Sequence, residues 1–369
     1  MADATAAVLA AGSPVLVELQ AWLALATGLE ATLLGPRHLE RAVAQRCQQR
    51  GLADPQRYAA LLRRDAQEQQ ELLERLVVGE SWFLREPQAF AQLVSHAQAQ
   101  PERPLRVLSC GCASGEEPYS VVIALQEAGW RDEQLQVEAI DLSERALARA
   151  AEGHYGRHAL RAMEPQRLER HFEPSGSGWR LRPPLRGAVR FHQGALLQRL
   201  AELPGGWHAL FCRNVMIYLQ PDARTRLFTL IAERLAPGGL LQVAIAEAAM
   251  VPAALFERQP GSHGGSFRRR EPQQREPMPL ASSSRKNPVA ASAESSLEPA
   301  DHLAGARRLK ARGRRQEALE ALRRCLYLDP DHLEALELRL QLARELGYGQ
   351  DAERQQQRLE RARRRSTRP

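Results

Sequence analysis

The stretch LSCGCASGEEPYS, residues 108–120, holds the residues best placed to do chemistry. An apolar run reaches Gly111, a second glycine stands at Gly115, and Glu116 and Glu117 open what reads as a helix. A glycine turn between strand and helix lets a cofactor reach the backbone of a doubly wound fold. The turn is not G-x-G-x-x-G and no Lys-Ser/Thr follows, which disfavours a pyrophosphate site or a phosphate loop. Carboxylates at this turn repel phosphate and attract a cation. S-adenosylmethionine (SAM) carries an ammonium and a sulfonium, so the polarity favours it over a nicotinamide dinucleotide. Glu116 is the preferred cofactor ligand, while Glu117 also reads as a first-turn acid complementing the helix dipole. Asp141 closes the next apolar run, where an acid can accept hydrogen bonds from ribose hydroxyls or cap the following helix.

The surrounding elements must hold these residues. LRVLSC, LQVEAID, HALFC and GGLLQVAIAE read as strands. Residues 115–128, SERALARAAEG and QPDARTRLFTLIAERLA read as helices, with Ser143 as an N-cap. The alternation predicts an α/β, Rossmann-like doubly wound fold with a parallel sheet. Between Gly153 and about Arg190 the rhythm fails. GWRLRPPLRGAVRFHQ, around Pro183 and Pro184, predicts short strands in a small antiparallel β insertion at about 154–190. Residues 1–75 predict an N-terminal helical subdomain ahead of a core domain over 76–270. Within it, Leu39, Val43 and Cys47 share one helix face, Arg41, Arg46 and Arg50 lie away from that face, and Gly51 fits the helix end. Residues 271–299, rich in Pro, Ser and Gln, predict a disordered linker. Residues 300–369 predict an all-α segment. Ala318, Leu322, Cys325 and Pro330 have the spacing of a tetratricopeptide-repeat half, echoed by Ala352 and Leu359, with a plain amphipathic helix pair as the alternative.

With 369 residues, 44% of them hydrophobic, the chain has room for two or three domains. The net charge of +7 suits an acidic partner. Five scattered cysteines fit a reducing cytoplasm, and Cys110 and Cys112, with no second ligand pair, read as core residues. The apolar N-terminus lacks a basic flank, and no apolar run is long enough to span a membrane, so a cytoplasmic protein without membrane insertion is expected.

Four segments in order give the pattern a family. VGESWFLREPQAF (78–90), SCGCASGEEPYS with AID behind it, LFCRNVMIYLQ (210–220) and APGGLLQVAIAE resemble the chemoreceptor glutamate methyltransferases, the CheR family, over about 36–270. The resemblance implies methyl transfer from SAM, leaving S-adenosylhomocysteine, to glutamates of a chemoreceptor with an acidic helical methylation region. It also implies that the insertion is a β-subdomain, which in some members docks a receptor-tail peptide. The basic helix with Arg41, Arg46 and Arg50 would face the receptor, unless it is simply a solvated basic face.

A free glutamate, with a pKa of about 4.3, is already ionised, so the reaction needs placement and partial desolvation and no general base. Arg85 and Tyr218 are the candidates for that work, Arg85 by a two-pronged hydrogen bond to the carboxylate. Taken alone, Arg85 could as well cap a helix or form an ion pair, and Tyr218 could be core. Gly79, Ser81, Arg85, Gly111, Glu116, Asp141, Arg213 and Asn214 are the candidate cofactor contacts. Gly79 and Ser81 stand where many members have Asn and Thr, and Ala195 stands where the family tends to have Asn. Two other readings compete. One is a non-catalytic SAM-binding scaffold that binds a protein partner through its C-terminal segment. The other is a methyltransferase of another substrate. No nucleic acid is expected, because aromatics are only 5% and RNVMIY replaces the Asn/Asp-Pro-Pro-Tyr/Phe element of base methyltransferases.

Overall fold

The computed structural model describes residues 13–35, 37–77, 79–100, 104–260, 264–270, 299–311 and parts of 318–363. The chain divides into two compact units, Met1–Glu276 and Pro277–Pro369.

The first unit opens with helices α1 (Pro14–Thr27), α2 (His38–Gln49), α3 (Pro55–Leu62) and α4 (Ala66–Leu76). The carboxylates of Asp54 and Asp65 accept the backbone N–H groups of Gln56 and Glu68, which starts α3 and α4. Leu19, Leu23, Leu39, Val43, Tyr58, Leu72 and Leu76 form their common core.

Arg46 departs from expectation. It is buried, not on an exposed basic face. At 100° per residue it sits about 60° from Val43 and adjoins Cys47, which places it on the flank of the apolar stripe. Its Nε and Nη2 donate to the two carboxylate oxygens of Glu68 at 2.7 and 2.6 Å, and the Tyr58 hydroxyl donates to Oε1 at 2.9 Å. Arg50 is 44% exposed and lies 3.4 Å from both Asp65 and Glu68; Arg41 is exposed.

The remainder of the unit comprises α5 (Pro87–Gln98), β1 (Leu105–Cys110), α6 (Glu116–Glu127), β2 (Leu135–Asp141), α7 (Glu144–Glu152), β3 (His154–Tyr155), α8 (Pro165–His171), β4 (Phe172–Ser175), β5 (Gly178–Leu181), α9 (Pro183–Arg186), β6 (Val189–Gln193), α10 (Leu196–Glu202), β7 (Trp207–Cys212), α11 (Pro221–Arg234), β8 (Leu235–Gln242), β9 (Phe256–Arg258) and β10 (Ser266–Arg269). The main sheet runs β6-β2-β1-β7-β8-β10-β9. Its first five strands are parallel, and β10 is antiparallel to both neighbours. Apolar clusters fill both faces, and Cys110 and Cys112 are buried in them. From β1 the chain works outward to β2 and β6, then returns to β7 on the other side. The crevice beyond the carboxyl ends of β1 and β7 is therefore the switch point at which this architecture binds ligands.

The insertion is a three-stranded antiparallel sheet, β3-β5-β4. Two details of the expectation are corrected. Pro183 and Pro184 start a helical turn, since proline needs no amide partner at a helix start. VRFHQ leaves the insertion and pairs in parallel with β2 as an edge of the main sheet. The strand expected at GGLLQVAIAE begins earlier, at Leu235, and stops at Gln242, ahead of a 3₁₀ turn over Ile245–Met250.

The second unit contains α12 (Pro299–Ala311) and α13 (Leu333–Glu345), with Leu303, Ala306, Leu322, Cys325, Leu336 and Leu359 among its buried residues. Residues 271–298 and the repeat positions Pro330 and Ala352 lie outside the described residues. Among the described residues, no helix is long and apolar enough to cross a membrane.

Candidate active site

The turn after β1 is built for close backbone approach. Gly111 has φ 75°, and a Cβ there would collide with the Val215 side chain. The amides of Gly111 and Cys112 donate to the Ile140 carbonyl at 2.8 and 3.1 Å, which draws the turn against the end of β2. Asp141 then joins the two turns. Its Oδ2 accepts the Ala113 amide at 2.7 Å and its Oδ1 the Ser143 amide at 2.9 Å. Each oxygen keeps a lone-pair direction for a further donor. Burial raises the Asp141 carboxyl above its ordinary pKa, and the two amides oppose that.

A cavity of about 350 Å³ opens at this point, lined by Gly79, Gly111, Asp141, Ala195, Asn214 and Tyr218 among others. That volume is in the range of small-molecule sites, roughly 300–1,000 Å³. Thr27, Leu29 and Leu34 close one side, so the N-terminal helices complete the site. Leu29 pairs with Leu219, and the Glu30 amide donates to the Tyr218 carbonyl at 2.8 Å. Gly79 is exposed at the cavity edge, and a Cβ there would meet nothing within 4 Å. A smaller cleft of about 50 Å³ is lined by Ser81, Trp82, Arg85, Glu117 and Arg213. Gly111, Ala113 and Asn214 line both spaces. Arg85 and Tyr218 therefore stand on either side of a shared wall.

The two adjacent glutamates separate clearly. Glu116 is buried, lines neither space, and its Oε2 has no hydrogen-bond partner among the described residues. Burial pushes its carboxyl up to about 7. Glu117 faces the smaller cleft, where it accepts from the Ser109 hydroxyl at 2.7 Å and from Arg213 Nη1 at 3.1 Å. Burial raises its carboxyl as well, with Arg213 and Ser109 opposing. Arg213 acts as a buried bracket. Its Nη2 donates to the Arg85 carbonyl at 2.6 Å and lies 3.2 Å from Glu86.

Arg85 is half-buried between two non-glycine residues in the left-handed region, Leu84 (φ 56°) and Glu86 (φ 55°). Such backbone persists only where its surroundings enforce it, and it concentrates at functional sites. The Leu84 amide donates to the Ser120 hydroxyl at 2.9 Å, which helps hold the loop. Asn214 is also left-handed (φ 62°), and its amide donates to Glu247 Oε2 at 2.7 Å; Oε1 accepts the Ile217 amide at 3.2 Å. Glu247 escaped the sequence reading, although an acid inside AIAEAAM was the available signal. Glu74 from α4, and Ser143, Arg145 and Arg149 from α7 and its N-cap, also line the larger cavity unforeseen, because only the packing of α4 against α7 brings them together.

Residues 79–261 match the family described as CheR methyltransferase, SAM binding domain. The chain is 37% identical over 230 residues to the probable biofilm formation methyltransferase WspC of Pseudomonas putida, covering 61% of this chain and 54% of that one. It is 36% identical over 198 residues to the chemotaxis protein methyltransferase of Klebsiella aerogenes, covering 52% of this chain and 68% of that one. The chain thus spans about half the length of the WspC relatives it matches. Among solved structures it is similar to TrmN from Thermus thermophilus at 16% identity and a TM-score of 0.29, covering 50% of this chain and 51% of that one. The cavity, the Asp141 carboxylate and the glycine turn fit SAM as the cofactor, in agreement with the matched domain. The chain belongs to the CheR family of SAM-dependent methyltransferases.

Proposed function

We propose that this chain is a protein-glutamate O-methyltransferase acting in the cytoplasm on a chemoreceptor-like protein. The observation that carries the reading is the shared wall of Gly111, Ala113 and Asn214 between the cofactor-sized cavity and the arginine cleft. Bound SAM supplies an electrophilic methyl group, which a glutamate carboxylate oxygen takes up as the carbon–sulfur bond breaks; the sulfur keeps the electron pair and no proton moves.

The residues' work is placement. Asp141 would accept from the ribose hydroxyls with its remaining lone pairs. Gly111 would let the backbone close on the cofactor. The Arg85 guanidinium would orient the incoming carboxylate, and the Tyr218 phenol would hydrogen-bond beside the reacting centre. With Arg46 buried, the basic surface that would face the receptor reduces to Arg41 on α2 and Arg50 just past its end. The second unit would bind a protein partner. The test is incubation with tritiated SAM and receptor-containing membranes of the source organism, scored as base-labile methanol. Base-labile label on a receptor-sized band supports the reading. Its absence, with SAM still bound in calorimetry, overturns it in favour of a scaffold.

A further inference from the structure

Resting on that reading, we infer that Trp82 is a positioning residue for Arg85. The Arg85 guanidinium lies 4.2 Å from the centroid of the Trp82 ring, and the Arg161 guanidinium lies 3.7 Å from it. Two cations therefore use one indole, the best aromatic partner for a guanidinium. Among the described residues, Arg85 makes one side-chain hydrogen bond apart from the ring contact, a long one from Nη1 to the Glu80 carbonyl at 3.3 Å. Its backbone is fixed by Arg213, and its side chain stacks on Trp82; the Glu117 carboxylate in the same cleft attracts it but takes its hydrogen bonds from Arg213 and Ser109.

Trp82 is not needed to anchor the loop, because Phe83 does that. Phe83 is fully buried, packs edge-on against Tyr155 and Phe172 at 4.8 and 5.1 Å, and donates its amide to the Ala159 carbonyl at 2.9 Å. Trp82 stays half-buried at the mouth of the arginine cleft. Arg161, which also donates to the His158 carbonyl at 2.7 Å and lies 3.8 Å from Glu80, ties this indole to the segment that leads into α8. An uncharged ring at this position holds the guanidinium without neutralising it. A carboxylate in its place would compete with the substrate's own carboxylate. The indole thus keeps Arg85 pre-organised and available, which is what a carboxylate-orienting group needs.

The test compares Trp82→Leu and Trp82→Phe in the full chain, each also in an Arg85→Ala background. Methyl transfer is measured with tritiated SAM and receptor-containing membranes, SAH affinity by calorimetry, and the Arg85 side-chain methylene shifts by NMR. Trp82→Leu is expected to lower kcat about three- to thirty-fold, the equivalent of losing one cation–π contact. The KM for SAM and the SAH affinity should stay within about two-fold. Trp82→Phe should recover most of the loss, and Trp82→Leu should cost nothing further once Arg85 is alanine. The Arg85 methylene resonances should lose their ring-current shift in Trp82→Leu. An equal loss in the Arg85→Ala background, an equal loss of SAH affinity, or unchanged Arg85 shifts would overturn the inference. If the parent protein transfers no methyl group, the proposed function fails on its own, and the NMR comparison still decides whether Trp82 holds Arg85.

Discussion

Arg46→Ala should unfold the N-terminal helices more readily while leaving the arginine cleft chemically intact. The guanidinium makes a two-pronged pair with Glu68, and the two side chains are only 9% and 1% exposed. It also lies 3.2 Å from Glu71. Removing one partner of such a pair strands a buried charge, at a cost of about 3–5 kcal/mol. Glu68 would retain the Tyr58 hydroxyl and Arg50 at 3.4 Å, so the lower end, about 3 kcal/mol, is expected. The pH dependence follows from Glu68. Burial works to raise its pKa, but the hydrogen bonds from Arg46 and Tyr58 prevail and hold it below the ordinary value. The stabilisation is therefore present above the ordinary glutamate pKa and is lost as pH falls through the lower folded value. Urea unfolding at pH 7 and near pH 3.5 measures both effects, and the gap between parent and variant should narrow in acid. The double variant Arg46→Met/Glu68→Leu should recover most of the loss, because replacing a buried pair by apolar side chains is often neutral. A loss below about 1 kcal/mol for Arg46→Ala would mean that the pair is solvent-screened and Arg46 belongs to the exposed face.

Two other perturbations probe the site. Glu116→Gln should raise the stability of the cofactor-free protein at pH 8.5 but not at pH 5. Its folded pKa is raised from 4.5 to about 7, so its favourable contribution holds below 4.5 and is lost as pH rises through 7; the ceiling is about 3 kcal/mol, read as a midpoint shift in urea. Gly111→Ala should abolish SAH binding in calorimetry and destabilise the protein by about 2–5 kcal/mol, from a strained φ together with the clash with Val215.

Local signals read well where one element carries them. The glycine turn, Asp141 and the strand-helix alternation were legible because each is set by neighbours in sequence. What escaped needed partners distant in the chain. Arg46 looked solvent-facing until Glu68 and Tyr58, from two other helices, gave it a reason to be buried. Glu116 and Glu117 look alike in sequence, but a 100° step around α6 buries one away from both spaces and sends the other to Arg213. VRFHQ read as part of the insertion because no local feature distinguishes an antiparallel hairpin strand from a parallel edge strand. The stacking of Arg161 on Trp82 crosses from the insertion to the loop, so spacing alone could not show that Arg161 and Arg85 share one indole.

If the cavity and the arginine cleft form one site for carboxylate methylation, Arg85 must act on the chemical step and not on cofactor binding. The most direct measurement is kcat for base-labile methyl transfer by Arg85→Ala at saturating SAM, with SAH affinity determined in parallel. A fall of about ten- to a hundredfold in kcat is expected with SAH affinity nearly unchanged, since a lost charge-assisted carboxylate contact is worth about 1.5–3 kcal/mol. Unchanged kcat, or a fall matched by lost SAH affinity, would contradict the single-site reading.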